Sequence, residues 1–484
     1  MTPPRWVRAL DGIAVAVLLL GVFELFFGGF ALGTPPFELQ LRNPWRILFV
    51  GAAAAAIRHA AFPQYPLHRR LWGLTRASGE GLVAAAGAFA TRVAVLVVAY
   101  FAVLVIGTVR PGFQVSGDPL FNLPARFDAG WYAGIALDGY SFQGRFDRQQ
   151  NVAFFPAFPL LMRAAGYLVG VHEHGVPQER RGGRLLWGGT FLSILAFAWA
   201  AIYIVRLTND IGGREAGFDA AALASAYPFA VFFSAPYTES LFLLGAVAAF
   251  YYFRRGAWGA SAAWGVLVGL TRPNGCFLSI VLALLLIERL RISRGSPDHA
   301  RQTHGDLPAR SASSKGLRNE LGVALGAAAA PGLGMLAYSA YVKHLTGVWF
   351  GWARLHEAWG RSYGGIEPVA SGVGWVANQG LVRVMAERPL DTLNGAALVF
   401  AIVMIWPVWR RLGLAWAAFI AVNVIPPLLA GGLLSMGRIT STLFPIFIAL
   451  ALVLPRRTVA PVLTIFALGQ ALAAVIFFTW RPLY

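Results

Sequence analysis

The chain has 484 residues, of which 57% are hydrophobic and only 13% are charged, and its formal net charge is +18. Apolar runs recur from end to end, which excludes a soluble globular domain, and the single cysteine excludes an internal disulfide and a CxxC metal site. The positive charge does not indicate a nucleic-acid partner, because basic residues in short loops between apolar runs are what membrane orientation requires.

The apolar segments, taken in chain order, predict an all-α polytopic membrane protein with about 13 transmembrane helices, since a span needs about 20 apolar residues. A helix also satisfies its own backbone hydrogen bonds where no water is present. The predicted spans are residues 11–32, 45–62, 82–108, 185–206, 217–234, 238–253, 257–272, 276–292, 321–343, 393–410, 414–434, 439–455 and 458–479. The first run lacks a small-residue cleavage site, so we expect a retained helix rather than a signal peptide.

This order predicts two parts of unequal size. Residues 1–80 hold two accessory transmembrane helices, and residues 81–484 form the main transmembrane domain. Within the main domain, residues 109–184 form a large loop between two spans. Residues 293–320 are rich in polar residues, proline and positive charge, which predicts a flexible cytoplasmic loop.

The arginines predict the orientation of the helices. With a cytoplasmic N-terminus, late pairs such as Arg410–Arg411 fall on the cytoplasmic side, provided that residues 155–170 do not cross the membrane. Two prolines suit a helix start in that segment, and apolar residues follow at helical spacing. We therefore predict an interfacial helix there, which makes the whole loop at 109–184 extracytoplasmic.

Four short motifs stand out against the apolar background, and the predicted topology places all four on the outer face. They are ARFDAGWY (125–132) with GY at 139–140, NVAFFPAFP (151–159), SAPYTESLF (234–242) and LTRPNG (270–275). Carboxylates, arginines and aromatic rings gathered at one membrane surface indicate a reaction site rather than a plain scaffold.

Together these motifs resemble the PIG-V family of lipid-linked mannosyltransferases, including bacterial members, within the GT-C class of membrane glycosyltransferases. The family pattern is R-W-D followed by G-Y and F-F-P-x-x-P, and later Y-x-E-S and R-x-N-G. The resemblance covers most of the chain from about residue 82. Phe127 stands where the family usually has tryptophan, and Gln150 and Asn151 stand near where many members have an acidic residue.

The resemblance implies a GT-C-type bundle in the bacterial inner membrane, with its catalytic domain over residues 81–484 and its active site on the extracytoplasmic side. It implies inverting transfer of a sugar, with mannose favoured, from a polyprenyl-phosphate donor to a hydroxyl of a glycolipid or glycan acceptor. Arabinose, glucose and galactose stay open as the sugar. A lipid or sugar transporter (flippase) and a non-catalytic partner of another glycosyltransferase also stay open. We expect no cofactor and leave a divalent-cation requirement open.

The chemistry of such a transfer assigns roles to the motif residues. An acceptor hydroxyl must lose its proton as it attacks the anomeric carbon, and Asp128 is the candidate base. The departing phosphate needs fixed cations, for which the candidates are Arg126, Arg272 and Arg438. The aromatic residues expected to contact the donor sugar are Trp131, Tyr132 and Tyr140. The residues expected to bind the acceptor or support the site are Glu239, Tyr237, Asn274 and His356.

Several of these residues also have a plainer interpretation. Asp128 suits the N-cap of a helix beginning at Ala129, and Glu239 suits a helix start, where the macrodipole favours a carboxylate. Arg272 and Arg438 suit snorkelling at the interface. The aromatic residues suit the belt found at any membrane surface. The run His172–Glu173–His174 is a weak metal site, because three consecutive residues of a regular helix cannot converge on one ion. Arg92 lies inside a span and stays unassigned.

Overall fold

The computed structural model describes residues 44–62, 79–171, 177–294 and 314–483, together with two short strands and residues 6, 10, 13, 14 and 17. The strands β1 (Phe30–Leu32) and β2 (Leu39–Leu41) pair antiparallel, with Phe30 opposite Leu41. Helices make up most of the rest of the described chain. The all-α prediction is therefore confirmed, with this small hairpin as an addition.

The helices are defined by the following bounds. In chain order they are α1 (Pro44–Ala61), α2 (Gly79–Ile106), α3 (Ala129–Asp138), α4 (Ala157–Leu168), α5 (Gln178–Gly212), α6 (Arg214–Ala226), α7 (Glu239–Arg254), α8 (Trp258–Gly269), α9 (Leu278–Arg294), α10 (Ser314–Thr346), α11 (Gly351–Leu355), α12 (Glu367–Gln379), α13 (Leu381–Glu387), α14 (Pro389–Leu412), α15 (Leu414–Gly431), α16 (Met436–Ser441), α17 (Phe444–Val453) and α18 (Arg456–Phe478). Short 3-10 helices lie at Asn151–Ala153, Pro228–Ser234, Pro273–Phe277 and His356–Trp359.

Among the described residues, seven helices have the length and apolar composition needed to cross a membrane. An eighth span results if α6 and the following 3-10 helix, which bend by 80°, are taken together. Three further predicted spans, at 238–253, 257–272 and 439–455, coincide with helices of 16, 12 and 10 residues. The multi-pass architecture is thus supported. The number of about 13 spans stays a prediction, and the span at 11–32 lies mostly outside the described residues.

The predicted interfacial helix is present as α4. Its 12 residues rise about 18 Å, which is too short to cross a hydrocarbon core about 30 Å thick. Phe158 and Met162 are buried against α3 and α5, whereas Tyr167 and Leu168 are exposed. Its placement at the outer membrane surface stays a prediction. Helices α9 and α10 extend into the predicted cytoplasmic loop, whose remaining residues, 295–313, lie outside the described part of the chain.

Arg92, the charge inside a span, holds the break between α6 and the 3-10 helix at Pro228–Ser234. It is fully buried, and its guanidinium donates hydrogen bonds to the carbonyls of Ser225 and Ala230 and to Oε1 of Gln470. Gln470 donates in turn to the carbonyls of Ser225 and Tyr227. A helix end inside the protein leaves carbonyls without helical partners, and these two side chains satisfy them. The break leads directly into the SAPYTES motif.

Helices α8 and α10 approach each other through glycine. A Cβ atom at Gly269 would lie 2.0 Å from the carbonyl oxygen of Pro331, and one at Gly265 would lie 3.0 Å from Cδ of the same proline. Small residues four apart allow this close contact, which is common between membrane helices. Because α8 ends just before Arg272, this contact also fixes the LTRPNG motif.

We predict that Gly269→Ala destabilises the protein by about 1–3 kcal/mol, because the added methyl group meets backbone atoms that cannot move aside. The matched control is Gly259→Ala on the same helix, where a Cβ atom would meet nothing within 4 Å. Thermal melting of the purified variants in detergent measures the difference. Equal melting temperatures for the two variants would contradict the proposed packing.

Candidate active site

A cavity of about 1240 Å³ joins the motifs that the sequence singled out. Seven of the predicted site residues line it: Asp128, Trp131, Tyr132, Arg272, Asn274, His356 and Arg438. They come from α3 and the residue before it, from the start of the 3-10 helix after α8, from the 3-10 helix after α11 and from α16. Residues more than 300 positions apart in sequence therefore surround one cavity. This geometry agrees with the prediction that the motifs lie on the same side of the membrane.

A four-residue ionic network forms the charged wall of the cavity. Nη1 of Arg438 lies 2.6 Å from Oδ2 of Asp128, and Nε of Arg438 lies 2.8 Å from Oε1 of Glu239. Nη1 of Arg272 lies 3.3 Å from the same Glu239 oxygen. The two Arg438 contacts have the length of charge-assisted hydrogen bonds, which are the stronger kind, whereas the Arg272 contact is an ion pair only. The two arginine side chains are at most 14% exposed and both pair with carboxylates of the network, so they are more than interfacial snorkelling residues.

Asp128 directs its carboxylate to Arg438 rather than to its own helix. Helix α3 begins at Ala129 as predicted, yet the Asp128 side chain makes no capping hydrogen bond, so the N-cap interpretation is wrong. Its backbone N–H donates to the Tyr237 hydroxyl at 3.0 Å, and that hydroxyl donates to the carbonyl of Arg126 at 3.0 Å. Tyr237 therefore fixes the turn that presents Asp128, whose side chain is 25% exposed on the cavity wall.

Glu239 lies behind the cavity wall and is fully buried. It begins α7 as predicted, and it binds both Arg438 and Arg272 instead of facing the cavity. Burial lowers the pKa of Arg438, but the carboxylates of Glu239 and Asp128 raise it more, so its pKa lies well above the ordinary value. The Arg438 guanidinium also lies 4.7 Å from the ring centre of Tyr237. A charge held in this way keeps both its sign and its position.

Arg126 does not face the cavity, which corrects its predicted role in binding the donor phosphate. It is buried, with Nε 2.7 Å from the carbonyl oxygen of Phe478 and Nη1 2.7 Å from those of Asn122 and Ala125. Burial lowers its pKa to about 10, which leaves it charged at neutral pH. Its Nε and Nη1 donors are occupied by backbone carbonyls, so Arg126 stabilises the turn before Asp128.

The predicted aromatic residues separate into two groups. Trp131 stacks on Phe154 at 5.7 Å and lines the cavity, as does Tyr132. Tyr140 does not line the cavity; its hydroxyl donates to the Phe154 carbonyl at 2.8 Å, and its ring contacts Tyr338. Tyr140 therefore shapes the NVAFFP segment rather than contacting a sugar.

The segment from Phe350 to Arg361 closes one side of the cavity, and the sequence singled out only His356 within it. Its other lining residues include Trp352, Trp359 and Arg361. Burial, together with the charge of Arg361, lowers the pKa of His356 to about 4, so its imidazole is neutral at physiological pH. The sequence signal for the other residues of this segment is the density of aromatic and basic residues in WARLHEAWGR.

Backbone strain is concentrated around this cavity. Within the described chain, five residues other than glycine have positive φ, and four of them line the cavity: Phe127, Phe350, Ser435 and Trp480. Positive φ is costly for bulky residues and clusters at functional sites. Ser435, with φ of 63°, immediately precedes the helix that carries Arg438.

Two further residues from the segment after Arg272 line the cavity. Asn274 lines the cavity and donates to Oδ1 of Asn423 at 2.7 Å, and the sole cysteine, Cys276, lines it as well. The run at 172–174 (His172, Glu173, His174) lies outside the described residues. Among the described residues, no group of three histidine, cysteine, aspartate or glutamate side chains is placed to hold a metal ion, and a cation requirement stays open.

The family described as Mannosyltransferase (PIG-V) matches residues 114–291 of this chain. The predicted resemblance is confirmed over this segment, which is less than half of the chain and shorter than the range from residue 82 onward that the motifs indicated. The matched segment includes Asp128, Glu239 and Arg272. Together with the apolar helices, this match supports a multi-pass membrane glycosyltransferase. No curated protein matches the chain.

Two solved structures of the oligosaccharyltransferase from Archaeoglobus fulgidus are similar to this chain. The one in complex with Zn and sulfate has 16% sequence identity and a TM-score of 0.39, covering 81% of this chain and 53% of that one. The one tethered to an acceptor peptide with the NVT sequon has 14% identity and a TM-score of 0.40, covering 81% and 55%. This chain thus spans about half the length of those proteins.

We predict that Asp128→Asn lowers transferase activity by about 10²- to 10⁴-fold, because an amide of nearly the same size cannot accept a proton. The control is Asp118→Asn, in the same loop but outside the cavity lining. Turnover of both variants is compared with that of the wild type in a sugar-transfer assay. Melting temperatures equal to that of the wild type show that both variants are folded. Wild-type turnover by Asp128→Asn would remove Asp128 as the base.

We predict that His356 makes the protein less stable in mild acid. Its pKa lies at about 4 in the folded chain against an ordinary value of 6.5, so between these values the unfolded chain binds the extra proton. The free energy of unfolding therefore falls as pH decreases through this interval. Melting temperatures between pH 7 and pH 4.5 should fall less steeply for His356→Gln than for the wild type. The exposed His344→Gln control should follow the wild type; an unchanged slope for His356→Gln would contradict the prediction.

Proposed function

From the family match over residues 114–291 and the Asp128–Arg438 pair on the cavity wall, we propose that this chain is an inverting, polyprenyl-phosphate-dependent glycosyltransferase. It transfers a sugar, with mannose as the first candidate, to an acceptor hydroxyl on the extracytoplasmic side of the bacterial inner membrane. The observation that carries the proposal is a carboxylate and a guanidinium 2.6 Å apart beside a cavity large enough for a sugar.

Asp128 acts as the base in this proposal. The acceptor oxygen attacks the anomeric carbon, the bond from that carbon to the phosphate oxygen breaks, and the acceptor proton passes to the Asp128 carboxylate. Attack from the face opposite the phosphate inverts the anomeric configuration. One carboxylate oxygen contacts Arg438, and the exposed part of the side chain is available to the acceptor hydroxyl.

Arg272 and Arg438 bind the donor phosphate in this proposal. Both lie on the cavity wall, and Glu239 holds both in place from behind. The two arginines therefore need little movement when negative charge develops on the leaving group. Apolar lining residues from α10, α15 and the start of α9 suit contact with an isoprenoid chain: Phe277, which immediately precedes α9, and Met335, Pro426, Pro427 and Ala430. Trp131 and Tyr132 provide aromatic surfaces for the sugar.

The test is a transfer assay with purified protein in lipid nanodiscs. Polyprenyl-phosphate mannose is supplied with a panel of glycolipid, glycan and peptide acceptors, and both polyprenyl phosphate and glycoside product are measured. We expect polyprenyl phosphate to be released only when an acceptor is present, and the new glycosidic bond to have inverted configuration.

The same assay distinguishes the alternatives. Turnover with the arabinose, glucose or galactose donor but not with mannose would change the sugar and keep the mechanism. Movement of intact donor across the bilayer without its cleavage would indicate a flippase and overturn the proposal. A loss of turnover in a chelator, restored by a divalent cation, would show that arginine alone does not stabilise the leaving group.

A further inference from the structure

The charged groups at the cavity do not cancel. Within the described chain, the guanidinium groups of Arg272, Arg361 and Arg438 line it, whereas the carboxylates of Asp128 and Glu239 are the acidic partners in their network. Both carboxylates contact Arg438, and Glu239 also contacts Arg272. The positive charge in excess therefore resides on Arg361.

Arg361 is held in place but not neutralised. Its Nη2 donates to the carbonyl oxygen of Leu434 at 3.1 Å, and its side chain packs on Gly431, where a Cβ atom would lie 3.3 Å from Cγ and Nη1. No carboxylate lies within ion-pair distance of it among the described residues. A guanidinium carries five N–H donors, so most of its hydrogen-bonding capacity remains for a ligand.

Its neighbours make this charge costly without a ligand. Burial, together with the positive charges of Arg438 and Arg272, lowers the pKa of Arg361 to about 10, and Asp128 opposes this effect. Arg126 and Arg92, by contrast, each bind two or more backbone carbonyls. A half-buried cation on a cavity wall, whose side chain has one neutral hydrogen-bond partner, indicates an anionic ligand.

We propose that Arg361 is a catalytic residue that binds the leaving phosphate and stabilises the second negative charge it acquires. This inference rests on the proposed function and adds a residue from outside the family-matched segment.

The charge balance of the reaction explains why a third arginine is needed. The donor is a phosphodiester with one negative charge. When the bond between the anomeric carbon and the phosphate oxygen breaks, the electron pair stays on that oxygen, and polyprenyl phosphate becomes a monoester with a second negative charge. The acceptor proton goes to Asp128, which loses its charge and releases Arg438 from their ion pair, whereas Glu239 keeps its charge and its contact with Arg272. The two negative charges of the monoester are then matched by the guanidinium groups of Arg438 and Arg361. Arg361 supplies the unpaired positive charge at that step.

The experiment compares Arg361→Gln, Arg361→Lys and a control, Arg354→Gln. Arg354 is exposed in the same segment, with its guanidinium 4.5 Å from the ring centre of Phe146 and outside the cavity lining. For each variant we measure kcat, the KM for polyprenyl-phosphate mannose and the inhibition constant of added polyprenyl phosphate, with melting temperatures as the test of folding.

We expect Arg361→Gln to lower kcat by about 10- to 100-fold and to weaken inhibition by polyprenyl phosphate by about 10-fold, with a smaller change in the KM of the singly charged donor. Arg361→Lys should recover part of both losses, and Arg354→Gln should match the wild type. If Arg361→Gln does not fold, the test is the inhibition constant of polyprenyl phosphate for Arg361→Lys. A lysine ammonium lacks the planar donor fork of the guanidinium group, so we expect it to bind the product more weakly than arginine does.

Two results would overturn the inference: a kcat for Arg361→Gln within about threefold of the wild type, or a lower kcat with unchanged inhibition by polyprenyl phosphate, which indicates a structural role. Failure of the proposed function gives a different result, since the wild type itself then transfers no sugar. In that case, binding of polyprenyl phosphate to wild type and Arg361→Gln, measured by thermal shift, still tests whether Arg361 binds the phosphate. Equal binding by the two proteins would overturn that as well.

Discussion

The site depends on the burial of one carboxylate, that of Glu239, between two guanidinium groups. A buried charge is tolerated only with a partner, and Glu239 has Arg438 and Arg272. This arrangement fixes two cations on the cavity wall from behind, where no ligand competes for them. Arg438 then has a further donor for Asp128, which ties the start of α3 to α16. The positions of the reactive side chains therefore follow from an electrostatic requirement of the interior.

The rest of the fold serves this arrangement by bringing distant segments to one place. The break after α6, held by Arg92 and Gln470, allows the chain to enter the cavity wall at Tyr237 and Glu239. The glycine contact between α8 and α10 sets the depth of Arg272. Arg126 and Tyr237 stabilise the turn that carries Asp128. Residues that bind backbone in this way are as necessary to the site as those that line it.

Much of this arrangement was predictable from sequence. Apolar length located most helices, and local motifs identified Asp128, Arg272 and Asn274, because each lies in a short pattern with a recognisable composition. Arg126 was misassigned because the strained turn at Phe127, with φ of 44°, directs adjacent side chains to opposite environments. Arg361 was missed because its role depends on how the segment after α10 folds against α15 and the residues after it. Motifs identify residue types, but only the tertiary contacts show where each side chain is directed.

The lone thiol has a practical consequence. Cys276 lies on the cavity wall, three residues after the proline that follows Arg272, and its Sγ lies 3.2 Å from the carbonyl oxygen of Pro273. Since the chain contains no second cysteine, a fluorophore or spin label attached there reports from within the cavity without background from other sites. The native protein thus has a single labelling site, and occupancy of the cavity can be followed without engineering the chain.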